Sequence, residues 1–232
     1  MSIILHIESS TLTCSVAVAE DGQTLGLKES HDLSYAHSEK LVVYIDEVLK
    51  EIGLLPKDLD AVCVAKGPGS YTGLRIGTSA AKGLCYGLDI PLLSVGSLES
   101  MAHWAKQNLA DQLAGVDMLC PMIDARRMEV YTAQFNMSLN DVKSVEALIV
   151  DEQSFSSELE KGKVAFFGDG ADKCNEVIQH PNAIFQSDFK PSARGMMELA
   201  EQKLQTQQLE DVAYFEPYYL KDFVAGKPKK LF

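Results

Sequence analysis

Lys66-Gly67-Pro68-Gly69-Ser70-Tyr71-Thr72-Gly73-Leu74-Arg75-Ile76-Gly77 follows an apolar run, residues 61–65, and leads into a long segment of helical spacing. A strand that feeds a glycine-rich turn and then a helix presents the helix's unpaired N–H groups to whatever lies in front of it. The turn fits neither standard phosphate pattern. No GxxxxGK followed by Ser or Thr occurs in the chain. Gly67, Gly69 and Gly73 approximate a dinucleotide fingerprint, but Leu92-Leu93-Ser94 stand where the ribose-binding acid belongs.

The helix after the turn carries small residues at four-residue spacing: Gly73, Gly77 and Ala81, broadened by Ala80, Gly83 and Gly87. Each glycine inside a helix costs about 1 kcal/mol relative to alanine. Close approach of another backbone explains such a strip. That backbone belongs either to the lobe's own sheet or to a second chain. Arg75, one turn into the helix, has two readings: a fork onto phosphate or carboxylate, or an ion pair with an acid on the preceding helix.

Working outward, residues 3–7 and 14–19 read as strands, Asp21-Gly22 as a hairpin turn, and residues 23–29 as the returning strand. Leu41, Val42, Ile45, Val48, Leu49 and Ile52 give residues 36–52 one apolar helical face. Residues 71–88 form the glycine-rich helix, 91–95 a strand and 98–110 a helix. The grammar then restarts. An apolar run at 118–123 ends in Asp124, as the first strand ends in Glu8, and a short turn and a second strand, 129–135, follow. A strand at 164–167, the turn Gly168-Asp169-Gly170 and a helix at 194–205 complete the second half. Two related α/β lobes are expected: residues 1–108, residues 109–215, and a tail, 216–232.

Glu8 and Asp124 hold matching places, where a two-lobed nucleotide enzyme holds metal and phosphate. Ala125-Arg126-Arg127 after Asp124 is too bulky for a phosphate loop. Gly168 and Gly170 suit either an adenosine or a tight turn. Glu8, Ser9, Ser10, Asp124, Gly168 and Gly170 are therefore the candidates for a weak nucleotide cleft. The five histidines show no i, i+4 metal pair and no HExxH, and no GxSxG elbow exists.

The chain has 232 residues and a formal net charge of −12. The one basic cluster, residues 226–230, reads as a solvated end, so any grip on nucleic acid comes mostly from another subunit. Five scattered cysteines suggest reduced thiols and a cytoplasmic protein. No apolar run is long enough for a membrane span, and the start reads as a strand rather than a signal peptide.

The glycine-rich motif, with Ile7-Glu8-Ser9-Ser10, His37-Ser38-Glu39-Lys40-Leu41, Ile123-Asp124-Ala125-Arg126-Arg127 and Pro217-Tyr218-Tyr219-Leu220-Lys221, resembles the TsaB (YeaZ) family of bacterial tRNA threonylcarbamoyladenosine biosynthesis proteins. That family usually has Asp where this chain has Glu8. The resemblance implies an ASKHA (actin-like ATPase) fold: α/β, two RNase H-like lobes with mixed sheets and flanking helices. It implies a non-catalytic scaffold acting with TsaD and TsaE, as a heterodimer with TsaD or a homodimer, and meeting tRNA only through the complex. Association through the first two helices is implied, at His37, Leu41, Tyr71, Thr72, Gly73, Arg75, Ile76, Gly77, Ala80 and Ala81. TsaD-like proteins hold a metal with paired histidines; Ser97 and Met101 stand at about those positions here. No catalytic residue, metal or cofactor is expected. The rival expectation is an ATP-dependent phosphotransferase or peptidase-type hydrolase of the same fold.

Overall fold

Among the described residues, ten strands fall into two five-stranded sheets with the same plan. The computed structural model describes residues 1–31 and 37–221; the basic cluster at 226–230 and the expected helix start at residue 36 lie outside them. The first sheet contains β1 (Ile3–Glu8), β2 (Cys14–Glu20), β3 (Gln23–Ser30), β4 (Ala61–Gly67) and β5 (Leu92–Gly96), in the order β3-β2-β1-β4-β5. The second contains β6 (Met118–Asp124), β7 (Glu129–Asn136), β8 (Asp141–Ile149), β9 (Val164–Phe167) and β10 (Ala183–Gln186), in the equivalent order β8-β7-β6-β9-β10. In each, the first three strands are antiparallel and the last two run parallel to the first. The expected two-lobed α/β architecture with mixed sheets and flanking helices is present.

Helix α1 (His37–Glu51) and helix α2 (Tyr71–Leu88) cover one face of the first sheet. Leu41, Ile45 and Val48 of α1, and Ala81 and Cys85 of α2, pack on Leu5, Ile7, Val16 and Val62. Each large aliphatic side chain fully buried this way contributes about 1.5–3 kcal/mol. Ser70 caps α2 by accepting the Gly73 N–H at 3.2 Å, and Asp89 ends it in the left-handed region.

The remaining helices cross between the halves. α3 (Ser97–Asn108) follows the first sheet in the chain but packs on the second, with Leu98, Met101 and Ala105 against Leu119, Ile123 and Phe167. The short α4 (Ser156–Leu159) covers that sheet's other face. α5 (Met197–Gln205) and the 3-10 turn Ala193–Met196 before it pack back on the first sheet, against Ile4, Ala17, Cys63 and Val95. The packed lobes therefore interleave rather than divide at residue 108. Among the described residues, no helix is long and apolar enough to cross a membrane.

A polar knot holds this junction. Glu29 accepts hydrogen bonds from Ser15 Oγ at 2.8 Å, from Ser192 Oγ and from Arg194 Nη2 at 3.3 Å. The Arg194 guanidinium lies 4.0 Å from the Trp104 ring centroid on α3. Glu29→Ala strands a mostly buried guanidinium and two hydroxyls, with an expected loss of about 2 kcal/mol. Urea denaturation checks this; a loss below about 0.5 kcal/mol would show that the pair behaves like a surface ion pair.

Candidate functional site

The carboxyl ends of β1, β4, β6 and β9 converge on one cleft between the lobes. Open α/β sheets bind ligands at such ends because the loops there leave a crevice. The cleft has a volume of about 490 Å³. One wall carries Ser10 and the start of α2; the opposite wall carries Asp124, Arg126 and Asp169.

The acids meet in unequal environments. Glu8 is fully buried beneath Ser10. Its Oε1 accepts the Ser10 N–H at 2.7 Å and the Ser10 hydroxyl at 2.6 Å, while its Oε2 has no partner. Burial pushes the Glu8 carboxyl above its ordinary value, and the charge of Asp169 adds to this. Asp169 is pushed up as well, by its poorly solvated position and by Asp124. Asp169 also accepts the Asp124 N–H at 3.0 Å. Asp124 is held by Lys173 and accepts the Arg126 N–H at 2.9 Å. Among the described residues no three His, Cys, Asp or Glu side chains are grouped so that they could hold a metal ion.

The structure corrects the expected cleft set. Ser10 and Asp124 line the cleft. Ser9 is buried and donates its hydroxyl to the Gly73 carbonyl at 3.0 Å. Gly168 and Gly170 are buried against β6: a Cβ on Gly168 would collide with the Met122 carbonyl, and one on Gly170 would lie 2.8 Å from the Ile123 carbonyl carbon. Both glycines allow close packing of this turn on the β6 backbone.

The expected interface set divides too. His37, Leu41, Gly73, Gly77 and Ala81 are buried within the first lobe. The Gly73–Gly77–Ala81 stripe faces the lobe's own β1 and the turn after it. A Cβ on Gly73 would clash with the Ser9 carbonyl, and one on Gly77 with the Ser9 hydroxyl. His37 Nε2 is 2.8 Å from the Thr11 carbonyl oxygen, which anchors α1 to the same turn, and burial lowers its pKa. Thr72, in the cleft lining, and Arg75 are exposed, Ile76 and Ala80 are half-buried and pack against the core of the first lobe, and Tyr71 is half-buried in the cleft wall. Among the described residues Arg75 makes no ion pair with α1. Its Nε donates to the Tyr219 hydroxyl at 3.3 Å, and its guanidinium sits 4.2 Å from the Tyr71 ring centroid.

The segment that sequence reasoning left out of the site is 217–221. Tyr218 N–H donates to the Lys66 carbonyl at 2.7 Å, and the Tyr219 ring lies 4.9 Å from that of Tyr71. Lys221 pairs with Glu129 on the second lobe. This segment crosses the cleft mouth and joins its two walls. The motif Pro217-Tyr218-Tyr219-Leu220-Lys221 was its available signal. The β6–β7 turn, read from the sequence only as too bulky for a phosphate loop, also lines the cleft through Ala125 and Arg126. Arg126 and Arg127 have φ of 74° and 52°. The left-handed region costs a non-glycine residue about 1–2 kcal/mol.

Comparison with known proteins agrees with this geometry. A family model described as "TsaD: tRNA N6-adenosine threonylcarbamoyltransferase" matches residues 31–229. The tRNA threonylcarbamoyladenosine biosynthesis protein TsaB of Escherichia coli is 28% identical, over 97% of this chain and 96% of that protein. TsaB of Haemophilus influenzae is 27% identical, over 97% and 95%. The crystal structure of YeaZ from Pseudomonas aeruginosa superposes with a TM-score of 0.79, at 24% identity, over 95% of this chain and all of that one. With the two-lobed fold, the glycine-opened α2 and a match over most of its length, the chain belongs to the family described as TsaD, tRNA N6-adenosine threonylcarbamoyltransferase, in which its full-length relatives are the TsaB/YeaZ proteins.

Proposed function

We propose that this chain is a non-catalytic scaffold subunit in the biosynthesis of threonylcarbamoyladenosine in tRNA, acting with TsaD and TsaE. Its docking surface is the outer face of α1 and α2. The observation that carries this reading is the apolar character of that face. Val42 is 66% exposed, Val43 49% and Tyr86 86%. Beside Tyr86, Gly83 and Gly87 have open space where a Cβ would stand. Side chains of this kind on adjoining helices, next to glycines that admit a partner backbone, make a helix-packing surface without its mate. The partner is TsaD, or a second copy of this chain. Catalytic silence is supported by the bulky turn after Asp124 and by Ser97 and Met101, both buried, at the positions of the histidine pair.

Gly83→Arg tests the surface, because its side chain projects into open space and spares the fold. Gly77 and Ala81 are unsuitable, being buried. The variant is expected to keep its melting temperature, to lose association with TsaD by at least ~100-fold, about 2.7 kcal/mol, and to abolish tRNA modification in the reconstituted system. Normal co-elution and full modification by the variant would refute the surface.

A further inference from the structure

We infer that the second-lobe rim of the cleft, at Arg126 and Arg127, binds the phosphate backbone of single-stranded RNA, with a base of that strand received against the tyrosines of the cleft. The inference rests on the reading that this chain serves a tRNA-modifying assembly, and it adds a direct contact that the charge of the chain argues against.

The chain has 33 acidic residues against 21 basic ones. On such a surface an exposed arginine ordinarily finds a carboxylate. Arg126 and Arg127 are exposed, and among the described residues neither side chain has an ion-pair partner. The acids closest in the chain are engaged elsewhere: Asp124 with Lys173 and Glu129 with Lys221. Both arginines are held in left-handed backbone, which strains a side-chain-bearing residue. The turn places Arg126 in the cleft lining and Arg127 next to it in the chain, both exposed and, among the described residues, without an ion-pair partner.

Behind them, Tyr71, Tyr131, Tyr218 and Tyr219 line the cleft, and Tyr218 is 44% exposed. A basic rim in front of aromatic faces is how single-stranded nucleic acid is gripped without sequence preference: cations take the phosphates and rings take the bases. A cleft of about 490 Å³ is large enough for one nucleotide unit.

The test uses the full chain and a fluorescein-labelled, unstructured RNA oligonucleotide, followed by anisotropy from about 50 mM salt upward. Arg126→Gly with Arg127→Gly suits the left-handed backbone and keeps the turn folded, which an unchanged melting temperature verifies. This double variant is expected to bind at least ~10-fold more weakly, with the slope of log K against log salt shallower by about 1.4, as for two lost single-strand phosphate contacts. Arg126→Lys with Arg127→Lys keeps the charges and is expected to keep most of the binding. No saturable RNA binding by the unaltered chain, or equal binding by the glycine variant, overturns the inference. Saturable binding of ATP with none of RNA overturns it in favour of a free mononucleotide. The outcome is separable from that for α1 and α2: the glycine variant should still assemble with TsaD, whereas Gly83→Arg should still bind the RNA in isolation.

Discussion

A single methyl group added at Gly73 is expected to destabilise the chain by about 3 kcal/mol or more, near the upper end for overpacking. The Cβ of Gly73→Ala would stand well under 3.0 Å from the Ser9 carbonyl oxygen, and 3.2 Å from the His37 ring. The first neighbour is backbone, and it cannot step aside. Ser9 is pinned by its own hydroxyl bond to the Gly73 carbonyl, and the next residue, Ser10, accepts the Ser70 N–H through its carbonyl at 2.7 Å. Relief requires α2 to lift from β1, which opens the core that Leu74, Ala81 and Cys85 share with the sheet. Against a typical total of about 5–15 kcal/mol, such a loss is large. Gly83→Ala, on the same helix but in open space, is expected to stabilise by up to about 1 kcal/mol, since alanine is the better helix former. Urea unfolding of both variants compares them directly. Similar midpoints for the two would mean that the glycine stripe does not seat α2 on β1.

The same pair shows what the sequence could and could not reveal. Four-residue spacing exposed a small-residue surface on α2, yet two stripes share that helix: Gly73–Gly77–Ala81, and Ser79–Gly83–Gly87. Periodicity reports the angle between residues, not which side meets the sheet. The spacing therefore left the inward stripe open between the lobe's own sheet and a second chain, and only the family resemblance placed it at a partner. Strands with strong apolar runs, such as β1, β4 and β6, were legible, as was α2 from Tyr71 to Leu88. β8 was missed because its sequence, Asp141–Ile149, is half polar and only partly buried. β10 was missed because four residues carry little pattern. The contact of Arg75 with Tyr219 was not legible because the two residues are 144 positions apart. The matching places of Glu8 and Asp124 were legible from the repeated strand-then-acid grammar, whereas Asp169, which lines the cleft, was not singled out. The segment that crosses the cleft was visible only as a motif without a place.

Acidification is expected to destabilise the chain through His6 by about 3 kcal/mol between pH 6.5 and pH 4. His6 sits mid-strand in β1, paired in register with Ala17 and Cys63, whose small side chains leave room for the ring. It is fully buried, and neither ring nitrogen has a hydrogen-bond partner. Burial lowers its pKa from 6.5 to about 4, because the charged imidazolium would be stripped of water, a loss that the nearby backbone of Ala17 and Ile4 offsets only in part. The folded state thus holds His6 neutral while the unfolded state takes up a proton below pH 6.5. Stability from this group is complete above pH 6.5 and falls as pH drops, until the folded form is protonated as well near pH 4. Glu8 acts with the opposite sign. Its carboxyl is raised by burial, so its contribution is present below about pH 4.5 and declines as pH rises through the folded value. His37 and His103 are both lowered by burial and reinforce His6. His6→Leu separates the terms, since Glu8, His37 and His103 are common to both proteins. The variant is expected to match or exceed the parent at pH 7, where an orphaned polar ring is replaced by an apolar side chain of similar size. It should also lose less stability than the parent on going to pH 4.5. Parallel pH profiles for the two proteins in urea unfolding would show that His6 is not the acid-sensitive group, and that the ring meets protons in the fold as readily as in the open chain.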